Sequence, residues 1–154
     1  MSTYVKLARA FQQPAEVHDF WMSMARHEAG HVGALELLEV MLEHAGGEAV
    51  SVPPLDAAAE TAAAVIERIH AEADHPGSLV RAFEIALELE SSEVDQLVCD
   101  LLAILGDGEQ RQQAQQMLVH DLSDLSLMIE KYAGDEGLLA RADALVERHV
   151  GRRS

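Results

Sequence analysis

The chain has 154 residues, 49% of them hydrophobic, enough for one substantial core and too little for several, so a single domain over residues 1–154 is expected. Its 27 acidic and 11 basic side chains give a formal net charge of -16, which repels phosphate backbones and anionic lipid and argues against nucleic-acid and membrane partners. Cys99 is the only cysteine, which excludes an intrachain disulfide, a CxxC redox pair and a four-cysteine metal site. No run reaches the roughly 18 uncharged apolar residues of a membrane span, and residues 1–13 have no leader-like apolar stretch, so a cytoplasmic location is expected.

Aromatic residues are only 4% of the chain while Ala, Leu, Glu and Gln abound, a composition that favours helices over sheet. Tyr4, Leu7, Ala8 and Phe11 make a short helical face that Pro14 interrupts or restarts. A second helix of about thirty residues is predicted over 15–44, stopped by Gly46 and Gly47. Residues 48–54 read as a loop, with the sole β signal at 49–52. An Ala-rich helical crossover follows, capped by Asp56 and running to about Asp74, before His75-Pro76-Gly77 breaks it. Ser78 is the expected N-cap of a long helix through Leu105, and Gly106-Asp107-Gly108 separates it from another over 109–133. A last amphipathic helix over 136–150 buries Leu138, Leu139, Ala142, Leu145 and Val146. The sum is an all-α four-helix bundle with a short first helix, a helical crossover and an extra C-terminal helix.

Three of these helices carry acids where core belongs. In the second, the apolar stripe Val17, Phe20, Met24, Leu35, Leu38, Leu42 is interrupted by Glu28 and His31, one turn apart on one face. In the helix after Ser78, Glu90 sits at the centre of Leu79, Phe83, Ala86, Val94, Leu97 and Leu101. In the next, Asp121 is central among Ala114, Met117, Leu118, Leu125, Met128 and Tyr132, with Asp124 toward the flank. A buried carboxylate must be neutralised by a proton, a charge partner or a metal. Carboxylates with imidazole suit iron, with manganese and zinc as alternatives. The competing reading is a metal-free polar core in which His31 bonds Glu28 or Glu90. His27-Glu28-Ala29-Gly30-His31 and His120-Asp121-Leu122-Ser123-Asp124 share a polar, acidic, two-spacer, polar layout, which suggests duplicated halves or chance similarity.

Phe20-Trp21, Met24-Ala25 and Glu28-Ala29-Gly30-His31, followed by Ala82, Ala86 and Glu90, resemble the rubrerythrin-like branch of the ferritin-like superfamily. The resemblance covers about residues 7–132. It implies two irons held by a Glu from each of two helices and Glu-x-x-His from each of the other two. Glu28, His31 and Glu90 match that pattern. The first helix offers no acid, Tyr4 being its nearest polar residue, and the 109–133 helix offers Asp121 and Asp124 without a His. A reduced, mononuclear or vestigial centre is therefore expected. If it binds iron, the resemblance implies peroxide or oxygen chemistry or iron storage; if vestigial, a non-enzymatic scaffold or interaction protein.

Residues 27–31 also spell HExxH, the zinc-peptidase pattern in which two His hold the metal and Glu is the base, and HEAGH resembles the membrane-tethered AAA protease motif. Trp21 is read as a core indole or a homodimer anchor, and Met22, Met24, Met41 and Met128 as packing or adaptable contacts. Cys99, opposite Glu90, reads as a small apolar filler. His18, His44, His70, His75 and His149 are placed on solvated faces or near helix ends.

Overall fold

A computed structural model describes residues 2–44, 53–92 and 108–151. Six helices make up this part, with no strand among the described residues: α1 (Thr3–Ala10), α2 (Ala15–His44), α3 (Pro53–Glu72), α4 (Leu79–Ser91), α5 (Gly108–Tyr132) and α6 (Glu136–Gly151). The all-helical expectation holds here, and so do the bounds of α2, α5 and α6 to within a residue. The β signal at 49–52, Cys99, and the stripe positions Val94, Leu97 and Leu101 lie outside the described residues, as do the side chains of His31, Leu35, Leu38, Leu42 and Ala114.

Local chemistry sets the boundaries. The Pro14 carbonyl accepts from the Val17 and His18 amides at 3.0 and 3.3 Å and so launches α2. α3 begins at Pro53, three residues before the Asp56 cap that the sequence suggests; proline is well suited to a first helical position, where its missing N–H would bond nothing. Ser78 caps α4 as expected, its Oγ accepting from the Arg81 amide at 3.1 Å. Gly134, at φ +62, takes the left-handed conformation that ends α5. Asp135 then caps α6, its Oδ1 accepting from the Leu138 amide at 2.9 Å.

One predicted helix is corrected. α4 ends at Ser91, where Ser92 turns to φ -64, ψ 138, so the predicted helix is interrupted there; its continuation over 93–105 lies outside the described residues. Ser91 and Ser92 donate their hydroxyls back to the carbonyls of Glu88 and Leu89, the local competition that makes serine a poor helix-interior residue. Glu90 thereby falls in a last helical turn.

α1 packs on α2 and α5 on α6, while α4 contacts α3, α5 and α6, and α2 also meets α5. The position of α4 explains its sequence: Ala82, Phe83, Ile85, Ala86 and Leu87 are all buried, too many for one stripe, as befits a helix covered on several sides. The core joins Tyr4, Leu7 and Ala8 of α1 to Val17, Phe20, Trp21 and Met24 of α2, Phe83 of α4, Leu118, Leu122, Leu125 and Ile129 of α5, and Leu138, Ala142 and Leu145 of α6. Met117, expected in the α5 stripe, is exposed instead, while Leu122 and Ile129 are buried: the helix is rotated toward α6. Among the described residues no helix is long and apolar enough to cross a membrane.

Ion pairs lace α3 to α4. Arg68 donates to Glu72 at 2.8 Å and to Glu88 at 2.9 Å, and Arg81 donates to Glu84 at 2.8 Å and also to Glu72. The Arg81 and Arg68 guanidiniums hold the Glu72 carboxyl below its ordinary value near 4.5. A carboxyl whose folded value is depressed stabilises the fold above its unfolded value, and that contribution vanishes as pH falls through the folded one. The denaturation midpoint of the wild type is therefore expected to drop below about pH 4.5. Arg81→Ala, measured in parallel, should start lower at neutral pH and lose less on acidification. Equal acid slopes in the two proteins would contradict this assignment.

Candidate functional site

Above the aromatic part of the core lies a polar layer to which four helices contribute. Glu90 of α4 and Asp121 of α5 are 8% and 4% exposed, so two of the predicted carboxylates are placed inside the protein. Glu28 of α2 is half-buried. Each of these three acids has a neighbour from another part of the chain: Tyr4 Oη donates to Glu90 Oε1, Ser2 Oγ donates to Glu28 Oε2, and His27 Nδ1 lies 2.5 Å from Asp121 Oδ1. Ser2 and Tyr4 are two residues apart and His27 adjoins Glu28, so one run of contacts passes from α4 through α1 and α2 to α5.

Each link follows from the fold. α1 is too short to span α2, and it lays its first turn beside the middle of α2 and the end of α4, which brings the Ser2 and Tyr4 hydroxyls to the acids. Glu90 sits at a helix C-terminus, the negative end of the helix dipole, where a carboxylate is disfavoured unless a donor meets it; the Tyr4 phenol is such a donor. On the other side, His120 Nδ1 stands 3.6 Å from Asp121 Oδ1 and 3.5 Å from Asp124 Oδ2. The rings of His27 and His120 meet edge to face with centroids 6.2 Å apart, so the leading residues of the two similar five-residue segments are neighbours. Asp124 itself lies on the outer flank, its side chain 44% exposed.

Directly beneath, Trp21 is fully buried, stacked on Tyr4 at 6.1 Å and 14° and tilted against Phe20 and Phe83 at 4.7 and 5.3 Å. This makes Trp21 a core indole and removes it as a surface anchor for a dimer. His70 is also corrected: it is half-buried against α1, its Nδ1 3.3 Å from Thr3 Oγ1, and its carbonyl accepts from Lys6 at 2.8 Å.

Sequence reasoning gave no metal role to Ser2 or His120, and gave His27 one only in the HExxH alternative. The signal for His27 and His120 was their shared place one residue before an acid; for Ser2 there was none, since a hydroxyl outside a helix has no stripe to interrupt. Among the described residues no group of three or more His, Cys, Asp or Glu side chains is gathered so as to hold a metal ion. The residues do not fit a two-iron centre: the first-helix acid is replaced by a phenol bonded to Glu90, and Asp121 is engaged by His27. For the HExxH alternative, His27 and Glu28 turn to different neighbours, α5 and α1, rather than to one cleft. No family model matches the chain, and no curated protein or solved structure matches it either.

Proposed function

We propose that this chain is a ferritin-like bundle with a reduced ligand set that takes one transition-metal ion, iron in the first instance, through residues among Glu28, His31, Glu90 and Asp121. The observation that supports the reading is that two acids on separate helices, Glu90 and Asp121, are less than a tenth exposed. Acids in such a position weaken a fold relative to apolar residues of equal size, so a layer of them is best explained by a cation they receive. In the metal-free chain the Tyr4, His27 and Ser2 donors hold the acids in place. Bound iron would supply Lewis acidity and an exchangeable coordination position.

A second reading, a metal-free polar layer that fixes the packing of a scaffold or interaction domain, is favoured by the same donors, which already engage all three acids. One experiment separates the two. Full-length protein purified without a metal-affinity tag after iron-replete growth is analysed for metals and then titrated with ferrous, manganous and zinc ions. One ion per chain, lost in both Glu28→Ala and Glu90→Ala, is the expected result. Absence of bound metal in both measurements assigns the layer to the scaffold reading. Zinc lost as readily in His27→Ala as in His31→Ala would move the assignment to the peptidase-type motif.

A further inference from the structure

We infer that the outer face of α2 is a self-association surface, on which a second copy of this chain packs its own α2 antiparallel; the metal reading plays no part in it. Along α2, Met22, Arg26, Ala29, Gly33, Glu36 and Val40 recur at alternating intervals of four and three, the spacing that keeps one stripe turned toward one partner helix. Met22 is half-buried and the other five are exposed. Val40 is 48% exposed, and Val32, on the flank of the same stripe, is 52% exposed. Two exposed valines alone are ordinary for a protein surface. What singles out this face is the symmetry of its charges.

Laid antiparallel about a twofold axis through position 31, the stripe pairs Arg26 with Glu36 of the second copy, Ala29 with Gly33 and Met22 with Val40, and each pair occurs twice. A cation meets an anion on both sides of the axis, small residues meet at the centre, and apolar residues close the contact outside the charges. Val32, one residue from the axis, meets its own copy on the flank. A Cβ at Gly33 would touch nothing within 4 Å, so the centre is open to a second backbone, and small residues there let two helices reach the near end of the usual 8–10 Å separation. Neither Arg26 nor Glu36 forms an ion pair among the described residues, so both are available to a partner. A parallel arrangement would set Arg26 against Arg26 and Glu36 against Glu36, which selects the antiparallel one. The formal net charge of -16 repels most approaches between copies, and a stripe with one Arg and one Glu is where that repulsion is least. The next pair outward, Asp19 and Glu43, is acidic on both sides and confines the contact to residues 22–40.

The test is sedimentation equilibrium of the full chain over roughly 1–500 µM, a range that brackets a micromolar dissociation constant. One helix face per copy buries less than about 1,200 Å² in total, so a reversible dimer of micromolar strength is the expected result. Glu36→Arg sets like charges against each other on both sides of the axis and should weaken the dimer at least about tenfold, as should Arg26→Glu. The swapped double variant Arg26→Glu/Glu36→Arg should restore the wild-type constant. Both side chains are exposed, so circular dichroism of all four proteins should coincide. The swap has the amino-acid composition of the wild type, so its recovery is a result that neither altered net charge nor general destabilisation reproduces. A wild type that stays monomeric throughout overturns the inference and leaves the face to another segment of this chain or to solvent. A dimer that persists in both single variants, or that the swap fails to restore, overturns the α2 pairing.

Discussion

Trp21→Ala lowers stability by about 3–5 kcal/mol, the largest effect expected from any single side chain here. The indole is fully buried and touches the aromatic rings of α1 and α4 as well as its neighbour Phe20. Truncation removes the transfer free energy of a large aromatic and leaves a void lined by Tyr4, Phe20 and Phe83. Those residues belong to three different helices, so closing the void means moving helices and not only rotamers. A domain of this size has about 5–15 kcal/mol in total. The variant should melt roughly 6–20 °C below the wild type in a thermal scan followed by circular dichroism.

Trp21→Phe is the informative companion. Trp21 Nε1 is buried and has no hydrogen-bond partner among the described residues, a burden of about 1–3 kcal/mol on the native state. Phenylalanine discards that burden together with part of the volume, so its net cost should be well below that of alanine. A Trp21→Phe cost as large as its lost volume alone accounts for would show that the indole nitrogen is satisfied in solution.

Much of the helical plan was legible because its signals are local. Ser78 and Gly134 punctuate α4 and α5 through capping and a left-handed turn, each encoded in a few adjacent residues. The stripe containing Val17, Phe20 and Met24 is likewise a property of one helix, and these three are buried as expected. What periodicity could not supply was rotation and partnership. The exposure of Met117 and the burial of Leu122 depend on where α6 lies against α5, which no residue of α5 records. Glu90 and Asp121 stood out as acids within apolar faces, but their donors come from α1 and α2, 86 and 94 residues away in the chain. The end of α4 was missed for a different reason: two serines in succession are mild helix residues by propensity, and only their bonds to Glu88 and Leu89 make them a stop.

The pair Tyr4 and Glu90 gives the second large effect, and it is best seen in a double-mutant cycle on the metal-free protein. Tyr4→Phe leaves a buried carboxylate without its phenol donor and is expected to cost about 1–3 kcal/mol. Glu90→Leu removes the acid and with it the acceptor of the phenol's hydrogen bond, at a comparable cost of about 1–3 kcal/mol. The double variant replaces both polar partners with apolar groups of similar size, so it should be more stable than the sum of the single losses predicts, with a coupling of about 1–3 kcal/mol. Urea midpoints of the four proteins provide the measurement. Additivity within about 0.5 kcal/mol would mean the two groups do not depend on each other. A double variant near or above the wild type, yet unable to retain a metal ion, would separate the purposes of the layer: the fold tolerates its loss, the ion does not. Buried ionic groups are often matched or bettered in stability by apolar replacements, so that outcome would place the selective value of Glu90 in what it binds.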